Sequence, residues 1–158
     1  MKTNIALVIN DINLVIGEEE NKKYLFFIRK IRDSGVLIIY LANEIIKEVS
    51  EDICIRKKYD NGFTDTELKK ILNENEIEII IFCGAKSGIS LETTATEAYF
   101  NEFAIVIVED GICTDDKTEL EKLLDWFKGY YATSLTFDEI CRQLSNNGSI
   151  DVKEFDLP

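Results

Sequence analysis

The sequence predicts a three-layer α/β/α domain with a mainly parallel sheet of about six strands. Short, mostly apolar segments rich in Ile and Val alternate with longer segments of helical period. Strands that are apolar on both sides need helices over both faces of their sheet, which is the usual environment of parallel strands. The length of 158 residues is typical of one domain, so residues 1–158 are expected to form a single one.

The strands are predicted where apolar runs are bounded by Gly, Asn or Asp. These runs are residues 4–10, 36–41, 53–56, 77–82 and 104–108, and a last short strand is predicted at residues 134–136. The run 77–82 is interrupted by Glu78 and is expected to be the most deeply buried strand. The first run ends in Asn10 and Asp11, so polar side chains follow directly where the chain leaves the sheet.

The helices are predicted from apolar residues that recur at helical spacing. They cover about residues 20–34, 64–75, 90–101, 116–131 and 137–144, with a short amphipathic stretch at 44–49. In the first helix, Leu25, Ile28 and Ile31 are expected to form the buried stripe, and Gly35 ends it. Thr64 is expected to cap the second helix. The polar tail after residue 145 is expected to pack loosely.

Composition narrows the possible partners and chemistry. With 30 Asp and Glu against 18 Lys and Arg, the net charge is −12, so we expect no nucleic-acid partner. No apolar run approaches the ~20 residues that span a bilayer, so no membrane partner is expected. The start lacks the pattern of a signal peptide, which predicts a cytoplasmic protein. The sequence has no His, so catalytic triads that rely on His are excluded.

Four cysteines stand in apolar segments without C-x-x-C spacing, which is typical of buried, reduced thiols. Disulfides and structural zinc are therefore not expected. With no His ligand and no Cys pair, the sequence predicts no metal and no cofactor. The remaining partner class is a small-molecule substrate.

Three segments could carry chemistry at the carboxyl ends of the strands, where ligands of open parallel sheets bind. The first contains Asp11, which a turn or helix cap would also explain. The second is the basic run around Lys57, for which a solvated turn is the alternative. The third is the loop 83–90 between a buried strand and a helix, whose backbone N–H groups could bind an anion. Ala85 precedes Lys86, so this loop is no Walker phosphate loop.

Together the three segments resemble the isochorismatase-like hydrolase superfamily. Residues 6–13, A-L-V-I-N-D-I-N, follow the family pattern A-L-L-V-I-D-x-Q without a gap. Lys57 stands six residues before Phe63, as in the family pattern K-x-x-x-S-A-F. Residues 83–98 are similar to C-G-V-x-T-x-x-C-V-x-x-T-A-x-x-A, and Val108-Glu109-Asp110 matches a following V-x-D. The likeness covers roughly residues 4–144.

The resemblance implies the roles of individual residues. It implies the catalytic group Asp11, Lys57 and Ser90, the substrate-binding residues Asn13, Phe63, Lys86 and Ser87, and an oxyanion hole from the backbone of Lys86 and Ser90. By the same resemblance, the Ala85–Lys86 peptide bond is expected to be cis. Ser90 stands where the family's nucleophilic Cys is common, and Asn13 replaces the usual Gln. A serine hydroxyl needs a strong local base to become a nucleophile, and no His can supply one.

Two functions follow from this resemblance as competing hypotheses. The first is a hydrolase of a small anionic metabolite, which uses the Asp11–Lys57 pair to cleave a vinyl ether or an amide or N-carbamoyl C–N bond. The second is a catalytically silent family member that binds a small molecule or serves as a scaffold, as the serine at position 90 would allow. Family members usually assemble, so a homodimer or higher homo-oligomer is expected.

Overall fold

A computed structural model describes residues 3–11, 18–43, 51–84, 88–114 and 116–154. Its strands are β1 (Ile5–Asn10), β2 (Leu37–Ala42), β3 (Ile53–Arg56), β4 (Ile79–Gly84), β5 (Ala104–Ile112) and β6 (Ala132–Leu135). Its helices are α1 (Glu18–Asp33), α2 (Leu68–Glu74), α3 (Gly88–Phe100), α4 (Lys117–Tyr130) and α5 (Phe137–Asn147).

The six strands form one parallel sheet in the order β3-β2-β1-β4-β5-β6. This confirms the predicted fold class. The chain moves outward from β1 to β2 and β3, then returns to the other side of β1 at β4. Such a reversal opens a crevice at the carboxyl ends of β1 and β4, which is where open α/β sheets bind their ligands.

Each face of the sheet has its own apolar core. One face packs Ala6, Val8 and Phe82 of the strands against α2, α3 and α4. The other face packs the alternate residues, such as Leu7 and Ile9, against α1 and α5. Every residue of β1 and β4 is buried, and up to Asn10 and Gly84 at their ends these two central strands are apolar without alternation, as the sequence predicted.

Two helices differ from prediction. Leu25 is exposed, and the buried stripe of α1 consists of Tyr24, Phe27, Ile28 and Ile31. These residues are buried in place of Leu25 because the rings of Tyr24 and Phe27 pack against this face of the sheet. Helix α2 begins at Leu68, four residues after the predicted cap Thr64. The segment between them turns instead, with Asp65 in the left-handed region at φ 54°.

The segment 146–154 was also predicted wrongly. It is not loosely packed, because α5 continues to Asn147 and Ile150 is buried against the same core as α1. The Lys153 N–H donates a hydrogen bond of 2.8 Å to Thr133 Oγ1, which anchors the segment beside β6. The predicted stretch at 44–49 lies outside the described residues.

The cysteines are less uniform than predicted, since Cys83 is buried, Cys54 is exposed, and Cys113 and Cys141 are half-buried. Burial raises the pKa of the Cys83 thiol, with Cys113 adding to the effect, so Cys83 is poorly suited to act as a nucleophile. In the described part of the chain, no helix combines the length and apolarity needed to cross a membrane.

Candidate active site

Asp11 follows β1 at the carboxyl edge of the sheet. Its N–H donates a 2.9 Å hydrogen bond to Leu41 O, which extends the pairing of β1 with β2 by one residue. Its backbone then turns into the left-handed region at φ 51°, a conformation that Asp tolerates better than most residues. The turn takes the Asp11 side chain out of the strand, and Oδ2 accepts a 2.7 Å hydrogen bond from Lys57 Nζ.

Lys57 follows β3, and its N–H donates to Ala42 O at 2.9 Å. Its side chain is only 1% exposed, so its charge needs partners inside the protein. Lys57 Nζ donates to Asp11 Oδ2, to Ser90 Oγ and, at 3.4 Å, to Asp60 O. An ammonium group has three protons to donate, so these three acceptors occupy it fully.

Ser90 lies in the first turn of α3 and is buried. Its Oγ donates to Asp60 O at 3.0 Å, and it accepts from Lys57 Nζ and from Asn10 Nδ2, the latter at 3.3 Å. A hydroxyl has one proton and two lone pairs, so all of its hydrogen-bonding capacity is used. The proton goes to a backbone carbonyl, which is no base. The hydroxyl of Ser90, the predicted nucleophile, is thus held in place by its hydrogen bonds to neighbouring residues.

Asn10 is a site residue to which the sequence analysis gave no role. It is fully buried at the end of β1, and Oδ1 accepts no hydrogen bond within the described residues. The backbone of Asn10 lies close to Gly84 in the neighbouring strand. Only glycine suits this position, because Gly84 has φ +93° and a Cβ there would lie 2.3 Å from Asn10 O. The one signal in the sequence is a polar side chain that ends an otherwise apolar strand.

The loop at Asp60–Gly62 supplies the carbonyl that Ser90 and Lys57 share. Thr94 holds this loop against α3, because its Oγ1 accepts from Gly62 N at 3.0 Å and donates to Ser90 O at 2.7 Å. A Cβ at Gly62 would lie 2.5 Å from Leu41 Cδ1, so a larger residue there would require the Leu41 side chain or the loop to move. Neither Asp60 nor Thr94 had been assigned a role from the sequence.

The structure therefore brings Asp11, Lys57 and Ser90 together, as predicted, although their chemical roles stay predictions. Phe63 is half-buried and packs against the core, and its N–H donates to Asn61 Oδ1 at 2.9 Å. The predicted Asn13, Lys86 and Ser87 lie outside the described residues, as does the Ala85–Lys86 peptide bond. The part of the proposed oxyanion hole that is described is the backbone of Ser90 in α3.

The three side chains differ in their access to solvent. Those of Lys57 and Ser90 are essentially buried, whereas the Asp11 side chain is 20% exposed. Asp11 can thus reach a bound molecule while its Oδ2 is held by Lys57. Among the described residues, no group of three or more Cys, Asp or Glu side chains could hold a metal ion. The arrangement can exchange a proton through one fixed carboxylate.

Comparison with known proteins gives this geometry a family context. The sequence model of one protein family, the isochorismatase domain, matches residues 28–139 of this chain. The chain is 28% identical over 94 residues to the uncharacterized isochorismatase family protein YaaI of Bacillus subtilis, covering 60% of this chain and 52% of that protein. It is 36% identical over 72 residues to ureidoacrylate amidohydrolase RutB of Yersinia enterocolitica, covering 46% of this chain and 31% of the relative. The matches thus span about half or less of these two relatives.

A solved structure extends the similarity over most of the fold. N-carbamoylsarcosine amidase from Thermoplasma acidophilum superimposes with a TM-score of 0.67 at 25% identity, covering 88% of this chain and 98% of that one. Most of the fold of this chain therefore has a counterpart in that structure.

Proposed function

Because the chain belongs to the isochorismatase family, we propose that it is a hydrolase of a small anionic metabolite and that Asp11 transfers the proton. The observation that carries this proposal is the buried Lys57–Asp11 pair, which fixes one carboxylate oxygen at 2.7 Å and leaves Asp11 in reach of solvent. A carboxylate held in this way is a suitable acid or base for a bound substrate.

Lys57 has a positioning role in this proposal. Its three protons are donated within the site, to Asp11, Ser90 and Asp60. A substrate carboxylate would have to displace one of these partners from a side chain with almost no exposure. We therefore assign Lys57 to the support of Asp11, and we assign recognition of the substrate's negative charge to Lys86, which the sequence predicts beside the same crevice.

Water is the proposed nucleophile. Ser90 Oγ accepts hydrogen bonds from the ammonium of Lys57 and the amide of Asn10, and it donates to a backbone carbonyl. No lone pair is therefore left to attack a substrate. In the proposed step, Asp11 takes a proton from water as the water oxygen bonds to the substrate carbonyl carbon. The same proton then passes to the leaving nitrogen when the C–N bond breaks. No covalent intermediate on the protein is needed.

The C–N bond of an amide or N-carbamoyl compound is the first candidate. The relatives that carry a named activity are a ureidoacrylate amidohydrolase and an N-carbamoylsarcosine amidase. A vinyl ether is the second candidate, because proton transfer from Asp11 followed by attack of water also needs no nucleophilic side chain.

The test is a turnover assay on purified protein with N-carbamoyl amino acids, primary amides and isochorismate. Asp11→Asn should abolish the activity found, while Asp65→Asn should leave it unchanged. The two positions are matched, since both are Asp residues in the left-handed region, at φ 51° and 54°. Equal loss in both variants, or full activity in Asp11→Asn, would contradict the proposal.

A catalytically silent binding protein is the alternative function. The full engagement of the Ser90 hydroxyl favours it, because the position that carries the nucleophile in the family here serves the internal network. Calorimetry separates the two proposals. A silent member would bind one of the same compounds, and the compound would be recovered unchanged.

We also propose a homodimer or higher homo-oligomer. The ends of α3 and α4 expose large aromatic side chains, with Phe100 and Tyr130 more than half exposed and Trp126 stacked on Tyr130 at 4.4 Å between ring centroids. Exposed aromatic groups of this kind are common at protein interfaces. Light scattering should give at least twice the monomer mass at micromolar concentration, and Tyr130→Ser should reduce it. A small-molecule substrate, the absence of nucleic-acid and membrane partners, and a cytoplasmic location stay predictions.

A further inference from the structure

A cavity lies on the face of the sheet that does not carry the candidate active site. It has a volume of about 210 Å³ and opens between α1 and α5. Its lining consists of Lys23, Phe26, Phe27, Lys30, Phe137, Asp138, Cys141, Arg142 and Ser145. Helices α1 and α5 pack on one face, while Asn10 and α3 belong to the other, so the sheet separates the two sites.

The cavity is basic in a protein that is strongly acidic. Three lining residues are cationic and one is anionic, whereas the whole chain has a net charge of −12. Lys23 has a carboxylate partner, Asp110, at 3.1 Å. Among the described residues, neither Lys30 nor Arg142 forms an ion pair. A local excess of unpaired cations attracts an anion against the overall charge.

Three aromatic rings, those of Phe26, Phe27 and Phe137, line the cavity. Phe27 and Phe137 are buried with ring centroids 4.1 Å apart, and they form the floor. Phe26 is 63% exposed at the rim, with Lys30 Nζ 5.5 Å from its ring centroid. An aromatic ligand can pack against such rings edge to face or offset, which contributes beyond the burial of its apolar area.

We infer that this cavity binds a single-ring aromatic carboxylate, with the ring against Phe26 and Phe137 and the carboxylate between Lys30 and Arg142. The size sets the class of ligand, because 210 Å³ is below the roughly 300–1,000 Å³ of sites for drug-sized molecules. The two cations set the charge, since hydrogen bonds between ionised groups are about twice as strong as neutral ones. The site is independent of the function proposed for Asp11.

Benzoate is the probe, and Cys141 reports where it binds. Because burial raises the pKa of the Cys141 thiol, its alkylation by iodoacetamide is followed at mildly alkaline pH by peptide mass spectrometry. Benzoate should slow alkylation of Cys141 with a dissociation constant on the order of 1 mM, which is reasonable for so small a ligand. The exposed Cys54 is the internal control and should react at an unchanged rate.

Charge and ring are tested separately. Benzamide should protect Cys141 roughly tenfold less well than benzoate, because it lacks the charge. Cyclohexanecarboxylate should protect several-fold less well, because it lacks the aromatic ring. Equal protection by benzamide would overturn the inference, and equal protection by cyclohexanecarboxylate would overturn its aromatic part.

Matched variants place the ligand. Lys30→Gln and Arg142→Gln should each weaken benzoate protection about five- to tenfold, which is the loss of one charge-assisted contact. Arg29→Gln removes an exposed cation of the same helix that does not line the cavity, and it should change nothing. Asp11→Asn should also leave benzoate binding intact. If Asp11→Asn changes binding and Arg142→Gln does not, benzoate occupies the other site and the inference is wrong.

Discussion

The cations on the two faces of the sheet differ in whether they have partners within the protein. On the face of α3, the Lys57 ammonium is buried and every proton has an acceptor within the protein. On the face of α1 and α5, Lys30 and Arg142 stand at a cavity without a carboxylate partner among the described residues. A cation whose protons all have acceptors in the protein fixes the orientation of those neighbours. A cation without such partners can bind an anionic ligand.

This difference follows from the elements that carry the residues. Lys57 leaves β3 at the carboxyl edge, where the Asp60–Gly62 loop and the start of α3 close over it. Lys30 and Arg142 are exposed residues of α1 and α5 that line the cavity, where long side chains keep their charged ends in water. The first environment demands partners for stability, and the second does not.

The largest expected effect is that of Lys57→Met. It leaves Asp11, Ser90 Oγ and the Asp60 carbonyl without their shared donor inside the protein. We expect a loss of about 3 kcal/mol in the free energy of unfolding, as for other buried pairs that lose one partner. Urea denaturation measures it. Lys23→Met is the matched control, because its pair with Asp110 is on the surface and is worth about 1 kcal/mol or less. Equal losses would show that the two faces do not differ.

Ser90→Ala should have the next largest effect. It removes the acceptor of both Lys57 Nζ and Asn10 Nδ2, and unpaired buried donors cost about 1–3 kcal/mol. Ser34→Ala serves as the control, since the Ser34 hydroxyl donates to Lys30 O at the surface, and its loss should cost no more than about 0.5 kcal/mol. A neutral Ser90→Ala, measured by the same denaturation, would mean that the network does not stabilise the fold.

The sheet could be predicted because a parallel strand covered on both faces needs apolar side chains at nearly every position. β1 and β4 are buried on both sides, and their unbroken apolar runs are visible in the sequence. The two possible stripes of α1 are a weaker signal. Leu25 and Phe27 both continue a helical period with Ile28 and Ile31, and only packing on the sheet selects Phe27. Periodicity alone could not choose between them.

The candidate site was predicted in part for a similar reason. The spacing of Asp11, Lys57 and Ser90 matches a family pattern, so their convergence was predictable. The hydrogen bonds of Ser90 were not, because they come from Asn10 and a backbone carbonyl, and neither has a recognisable pattern. An Asn at the end of a strand is the ordinary residue of a turn. The cavity between α1 and α5 depends on the angle of two helices that are distant in sequence.

Ser90→Cys tests whether the active-site face can activate a nucleophile at position 90. A thiol at the first turn of α3 beside Lys57 gains from the cation and from the helix N-terminus, both of which favour thiolate. Its alkylation by iodoacetamide should therefore be faster than that of Cys83, which is also buried but has a raised pKa. Amidase activity should appear or rise in the same variant. Labelling no faster than at Cys83 would contradict the activating environment.

The smallest expected effect tests a surface pair that lies outside both sites. Glu109 accepts from Ser134 Oγ at 2.7 Å and pairs with Lys128 at 3.1 Å, and these contacts lower its pKa. A lowered pKa adds stability above the unfolded value of about 4.3, and that stability is lost as pH falls through the lower folded value. Glu109→Gln should therefore cost about 0.5 kcal/mol at pH 7, the size of a partly exposed pair, and less as the pH approaches 3. Denaturation of Glu121→Gln, an exposed residue of α4 without an ion pair among the described residues, should show neither the cost nor its pH dependence.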